Sequence, residues 1–193
     1  HVYGLRDAIL APSERSIVAC DSSNIELRVA HLLAGQMDTI ERIRNGEDLY
    51  CWFAGDIYGR IITKKSDPKE RQHGKVGMLQ LQFQSGATSF QFAARTMGGV
   101  FLTMEESQTT VDMFRAKFPM LPKIWYRCQD MISDIYHGRQ TYIDRWGFCH
   151  TEHEAVVLPN GMRLHYKNLR RVFDEDFGWQ WVYDNKETGA PRK

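Results

Sequence analysis

The chain has 193 residues, 42% of them hydrophobic, 25% charged and 12% aromatic, a balance that excludes a disordered tail and a small scaffold held together by disulfides or metal. No apolar run approaches the ~20 residues that span a bilayer, and HVYGLRDAIL at the start lacks a basic-then-apolar signal pattern. Lys and Arg number 25 against 24 Asp and Glu, a formal charge of +1, so any basic surface for nucleic acid must be local. Cys20, Cys51, Cys128 and Cys149 form no CxxC, which suits a reducing compartment and makes cytoplasm the default. The chain begins with His1 rather than Met and reads as a piece of something longer.

In chain order, Ser16–Cys20 (SIVAC) reads as a short buried strand leading through Asp21-Ser22-Ser23 into a helix that Gly35 ends. Asp38 with Glu41 opens a second helix closed by Asn45-Gly46, and Asp48 caps a third running LYCWFAGDIYG. Asp67-Pro68 starts a longer helix that continues to the Ser85-Gly86 break. After Gly98-Gly99, Thr103 and Glu106 begin another, and Pro119 and Pro122 separate it from PKIWYRCQDMISDIYHG. From Gln140 the character turns to β: Asn160-Gly161 is a hairpin signal between apolar runs, and GWQWVYD is a further strand. The pattern predicts an α+β fold without repeats or flexible linkers.

Two features carry chemistry. Asp21 falls where the apolar run meets a helix, either as a ligand for a hard divalent cation or as a simple helix cap, and Ser23 with Glu26 fits the S-x-x-E capping box. On the helix from Pro68, Arg71, Lys75, Leu79 and Phe83 are spaced by four, a stripe roughly 18 Å long at about 1.5 Å rise per residue. It is cationic at one end and apolar at the other, which suits phosphates followed by sugar and base; a solvated face over buried Leu79 and Phe83 is the alternative. Cys149, His150 and His153 offer three zinc-type ligands with Cys128 as the nearest fourth, or are loop residues. Trp125, Tyr126, Trp179 and Trp181 read as core or interface, with stacking on a template base as the other use of such a ring.

Asp21-Ser-Ser-Asn-Ile-Glu-Leu-Arg28 resembles the D-x-S-Q-I-E-x-R motif A of family A, DNA polymerase I-like DNA polymerases, and Arg71-x-x-x-Lys75 with Phe83 resembles motif B on their fingers helix. ERQHGKVGMLQLQFQSG, LRDAILAP and LPNGMRLHY are similar to bacteriophage members. The resemblance covers nearly the whole chain. It implies a palm segment over 1–35, mainly helical fingers over 36–138 and a β-rich segment over 139–193 returning toward an antiparallel palm sheet. It further implies that Asp21 ligates two catalytic Mg2+ ions, with the Ser22 carbonyl helping to hold one. Glu26 would be the steric gate against a ribose 2'-hydroxyl. Arg71 and Lys75 would clamp the triphosphate, and Leu79 and Phe83 would support the incoming base.

The implied activity is template-directed addition of deoxynucleoside triphosphates to a primer 3'-hydroxyl, in the cytoplasm of a host cell if the source is a phage. Its partners would be primer-template DNA and the segments supplying thumb, exonuclease and the second catalytic carboxylate. Departures are visible too: Phe83 stands where Tyr is common, Leu79 where Phe or Tyr is, and Gln80, Gln82 and Gln84 where phage members often have glycine. No H-D-E motif C occurs, HTEHE at 150–154 comes too early to be one, and Asp174, Glu175 and Asp176 are the first substitutes to test. A nucleotide- or nucleic-acid-binding module without catalysis is the alternative that this absence favours.

Overall fold

In a computed structural model, residues 9–185 and 188–192 are described; Leu5–Ala8 of LRDAILAP, Lys186-Glu187 and Lys193 lie outside them. Eight helices are followed by six strands: α1 (Ile25–Ala34), α2 (Met37–Arg44), α3 (Leu49–Tyr58), α4 (Pro68–Leu81), α5 (Ala87–Gly98), α6 (Met104–Lys117), α7 (Met120–Asp130), α8 (Ile132–His137), β1 (His150–Glu152), β2 (Ala155–Val157), β3 (Arg163–His165), β4 (Arg170–Asp174), β5 (Gly178–Asp184) and β6 (Pro191–Arg192). The strands form two antiparallel sheets ordered β1-β2-β3 and β4-β5-β6, so the fold is α+β. Among the described residues no helix is long and apolar enough to cross a membrane.

Local chemistry explains most boundaries. The Asp48 carboxylate accepts from the amides of Tyr50 and Cys51 and starts α3, and Thr103 and Glu106 form a reciprocal capping box on α6. Gly35 ends α1 at φ 80°, where the Gly35 amide reaches Leu32 O and the Gln36 amide reaches His31 O, the paired bonds of a Schellman stop. At Asn160-Gly161 the Leu158 amide bonds Met162 O at 2.8 Å and closes the β2–β3 hairpin.

Five expectations need correction. Ser16–Cys20 is not a strand and is not buried, Ile17 being 55% and Val18 89% exposed, because no strand among the described residues pairs with it. The Ser23–Glu26 box does not form: α1 starts a residue later, after Asn24 in a left-handed conformation, so Glu26 is not at the third helical position. Nor does Asp21 cap α1. Helix α4 stops at Leu81 instead of reaching Gln84, since the Gln82 side-chain amide turns back to Leu79 O and Gln84 adopts φ 63°. The single helix expected after Pro122 is two, α7 and α8, with α7 already begun at Met120 and Pro122 tolerated in its first turn. Helix α5 is an element that the sequence pattern leaves unassigned.

The main core joins α1 and α3 to α7 around Leu27, Phe53, Met78, Phe90, Phe114 and Phe118. Phe53, Phe114 and Phe118 meet with centroids 4.8–6.0 Å apart in tilted or edge-on contacts. A smaller cluster of Ile135, Val156 and Leu169, with Trp181 and Tyr183 against it, ties α8 to the sheets. The closest packing is α3 on α4. A Cβ on Gly74 would lie 2.3 Å from the Tyr50 carbonyl oxygen, and one on Gly77 would lie 2.7 Å from the Phe53 ring. Replacing Gly74 by Ala in a free helix would gain about 1 kcal/mol; here overpacking reverses the sign, and Gly74→Ala is expected to cost at least about 2 kcal/mol in denaturant unfolding.

Inside the core, His31 is fully buried against Phe118 with both ring nitrogens unpartnered among the described residues. Burial pulls its pKa from 6.5 to about 4, against a small opposing pull from Asp38. The unfolded chain therefore binds the extra proton between pH 6.5 and 4 and the folded chain does not, so stability falls as pH drops through that window, by on the order of 3 kcal/mol for this group. His31→Leu is expected to be no less stable at pH 7, and its unfolding free energy should fall less steeply from pH 6.5 to 4 than that of the parent, measured by urea titration at each pH.

Candidate functional site

The intimate α3–α4 contact fixes what α4 presents at its edge. Arg71, Lys75 and Leu79 sit there, each half-buried, one turn apart, while His73, Gly74, Gly77 and Met78 face inward. Phe83 leaves this stripe because the helix has ended, and its ring is 62% exposed in the following turn. Leu79 packs on the main core. Of the sequence-predicted set, α4 thus brings together Arg71, Lys75 and Leu79 and holds Phe83 just beyond its C-terminus.

Arg71 is not a free cation. Its Nε donates to Asp48 Oδ2 at 2.7 Å, and its guanidinium lies 5.2 Å from the centre of the Tyr50 ring. The Tyr50 hydroxyl donates to the Asn24 side-chain oxygen at 2.5 Å. Burial, the main influence, pushes the Tyr50 phenol up, so it stays protonated for that bond. Burial alone would raise Asp48 as well, but the bond from Arg71 and the amides of Cys51 and Tyr50 outweigh it and hold the carboxyl below its ordinary value. One carboxylate therefore caps α3 and anchors Arg71, and one phenol links that pair to the residue that opens α1. Lys75 has no hydrogen bond or ion pair among the described residues.

Asp21 and Ser22 are exposed, outside any helix or strand, three and two residues before Asn24. Glu26 is exposed in the first turn of α1, and no hydrogen bond ties it to α4 among the described residues. A hard cation takes oxygen ligands and keeps waters and substrate phosphates, and the exposed Asp21 carboxylate is a donor of that type. Among the described residues no group of three or more His, Cys, Asp or Glu is placed to hold a metal, and that includes Cys149, His150 and His153. Cys149 is buried with its amide on Asp144, His150 lies in β1 and His153 lies in the β1–β2 turn.

A second buried polar contact stabilises α4 from its inner side. Thr110 Oγ1 donates to Glu106 O at 2.8 Å, which leaves its oxygen to accept from His73 Nε2–H at 3.2 Å, and His73 Nδ1 then accepts from the Tyr58 hydroxyl at 3.0 Å. Burial lowers the His73 pKa, against Glu106, in keeping with a neutral ring of that tautomer. Neither the Asn24–Tyr50–Arg71–Asp48 chain nor this one is visible in the sequence, because their members lie 15 to 37 positions apart. The small residues at Gly74 and Gly77, one turn apart, are the signal that could have marked α4 as a closely packed helix.

No protein-family model and no curated protein matches the chain. The geometry separates two functions of Asp48. Asp48→Asn keeps an acceptor for the α3 amides and removes the ion pair, so the expected loss is under about 1 kcal/mol. Asp48→Ala removes both, with an expected loss of about 1–2 kcal/mol. Tyr50→Leu, which removes the ring under the Arg71 guanidinium, should combine with Asp48→Asn to less than the sum of the two alone, since both act on Arg71; a double-mutant cycle by chemical denaturation reads this.

Proposed function

We propose that the chain is the fingers and part of the palm of a phage-type, family A-like DNA polymerase, acting in the cytoplasm with other segments that supply thumb, exonuclease and motif C. The observation that carries this reading is the contact chain from Asn24, which accepts from the Tyr50 hydroxyl, through the Tyr50 ring to the Arg71 guanidinium 5.2 Å from its centre. It joins the stretch that resembles motif A to the helix that resembles motif B, two stretches that a polymerase site has to hold in fixed relation. Arg71 and Lys75, one turn apart on the half-buried edge of α4, are the groups to grip a deoxynucleoside triphosphate. Leu79 supports the base side of the same edge, with Phe83 exposed beyond it, and Glu26 stands at the sugar as the gate.

Mg2+ held by Asp21 would lower the pKa of the primer 3'-hydroxyl and neutralise charge on the leaving pyrophosphate. The chain's own residues orient the triphosphate and place positive charge where negative charge develops. With one carboxylate in hand, the assembled enzyme would need a second from a partner segment. A second reading, a nucleotide-binding module without catalysis, is favoured by the absence of an H-D-E motif from the sequence.

Primer extension with added H-D-E-bearing segment tests the choice. The chain alone is expected to be silent and the pair active. Asp21→Asn should abolish incorporation and leave primer-template affinity within a few-fold, because the carboxylate acts on the metal and not on the DNA backbone. Lys75→Ala should lose about 2–4 kcal/mol of transition-state stabilisation, by analogy with the loss of one preorganised charge-stabilising donor. Triphosphate binding by the chain with no incorporation under any pairing would decide for the second reading.

A further inference from the structure

Beyond the nucleotide edge lies a surface with a different chemistry. The β4–β5 register sets Arg171 opposite Trp181 and Phe173 opposite Trp179, and β5–β6 sets Tyr183 opposite Arg192. Paired residues share a face and side chains alternate along a strand, so these six residues project to one side of the sheet. Their contacts agree: the Arg171 guanidinium is 5.4 Å from the Trp179 ring and 5.7 Å from the Trp181 ring, and Phe173 meets Trp179 edge-on at 5.6 Å. The strand carboxylates Asp174 and Asp184 pair with Gly178 and Pro191 and so take the opposite side, where Asp184 is held by Arg170 and Asn168. Glu175 and Asp176 stay in the turn.

The outer half of this face is open to solvent, Phe173 at 59% and Trp179 at 61%. The inner half runs into a mainly apolar cavity of about 760 Å³ lined by Trp181 and Tyr183 on one element and by Trp125 and Gln84 on others. Gln84 follows Phe83, and the Trp125 indole donates to Gln82 O at 3.0 Å, so the cavity links the C-terminal end of α4 to the aromatic face. Rings flanked by arginines, with the strand carboxylates turned away, match a strand whose bases are free to stack and whose backbone is anionic.

We propose that this face, continuous with the cavity from the end of α4, binds an unpaired DNA strand, its bases stacking on Phe173, Trp179 and Trp181 and its phosphates meeting Arg171 and Arg192. That the strand is uncopied template rests on the polymerase reading; that it is single-stranded rests on the rings.

The test uses the full chain and a dye-labelled oligodeoxythymidine, followed by anisotropy over a range of salt. Phe173→Ala and Trp179→Ala are each expected to weaken binding about tenfold. Arg171→Gln, which leaves both rings in place, should flatten the salt dependence by roughly 0.7 in log–log slope, one phosphate contact. Phe101→Ala, at a still more exposed ring 5.8 Å from Arg95, should change nothing. Affinities of both ring variants within about twofold of the parent would overturn the proposal, as would a blunt duplex competing as well as the single strand, or no binding by the parent. Titration with a fluorescent deoxynucleoside triphosphate and Lys75→Ala runs in parallel. Oligonucleotide binding that needs the rings while triphosphate binding ignores Lys75 upholds this face and defeats the polymerase reading, and the reverse pattern does the opposite.

Discussion

The contact of α3 with α4 sets the position of everything on the candidate site. Where most helix pairs are separated by a layer of side chains, here Gly74 lets backbone approach backbone, with the Tyr50 carbonyl oxygen 2.3 Å from where a Cβ would be, and Gly77 admits the Phe53 ring. Such a contact has no flexible spacer, so the edge of α4 that bears Arg71, Lys75 and Leu79 is fixed relative to α3 by hard-core repulsion and not by adjustable packing. Asp48 then adds direction. An ion pair this exposed is worth little stability in itself, but it orients the guanidinium and leaves Lys75, a turn further on, as the cation with no partner among the described residues. The Tyr50 hydroxyl carries the same restraint across to Asn24 and the first turn of α1.

Legibility in the sequence followed the range of the interaction. Helices with a local cap, α3 from Asp48 and α6 from Thr103 and Glu106, and the hairpin at Asn160-Gly161 were readable because cause and consequence lie within a few residues. The strand β5 matched its apolar-aromatic run to the residue. The Ser16–Cys20 segment was not readable, since β-branched composition favours extended backbone but says nothing about whether a neighbour is there to pair with. The end of α4 failed for a related reason: the four-residue spacing continues through Phe83, whereas Gln82 folds back on Leu79 and Trp125, on another helix, takes the Gln82 carbonyl.

At the site, the shared edge of Arg71, Lys75 and Leu79 followed from periodicity alone. The partner of Arg71 did not, because Asp48 lies 23 positions away and its capping of α3 already accounted for it. Residues with two roles are the hardest to read from a sequence, as the first role explains their identity and hides the second.

That double role bears on how the two cations would act in the proposed enzyme. The Asp48 carboxyl is held below its ordinary pKa, so it stays ionised at neutral pH and does not release Arg71 by protonation. In the proposed enzyme a triphosphate approaching α4 would therefore share Arg71 with Asp48, using the guanidinium nitrogens that the Nε bond leaves over, whereas Lys75 would meet it without competition from a partner among the described residues. Guanidinium can serve two anions at once because its five N–H donors lie in a rigid plane; an ammonium in the same place would have to choose. Lysine at position 71 would on this argument keep the charge and lose the arrangement, since one anion would be satisfied at the expense of the other. The exchange of roles would also fail at position 75, where a fixed fork has no carboxylate to orient it. The order along the helix, an anchored arginine first and an unanchored lysine one turn later, would in the proposed enzyme let a single α-helix present one oriented and one adaptable positive charge to the same chain of phosphates.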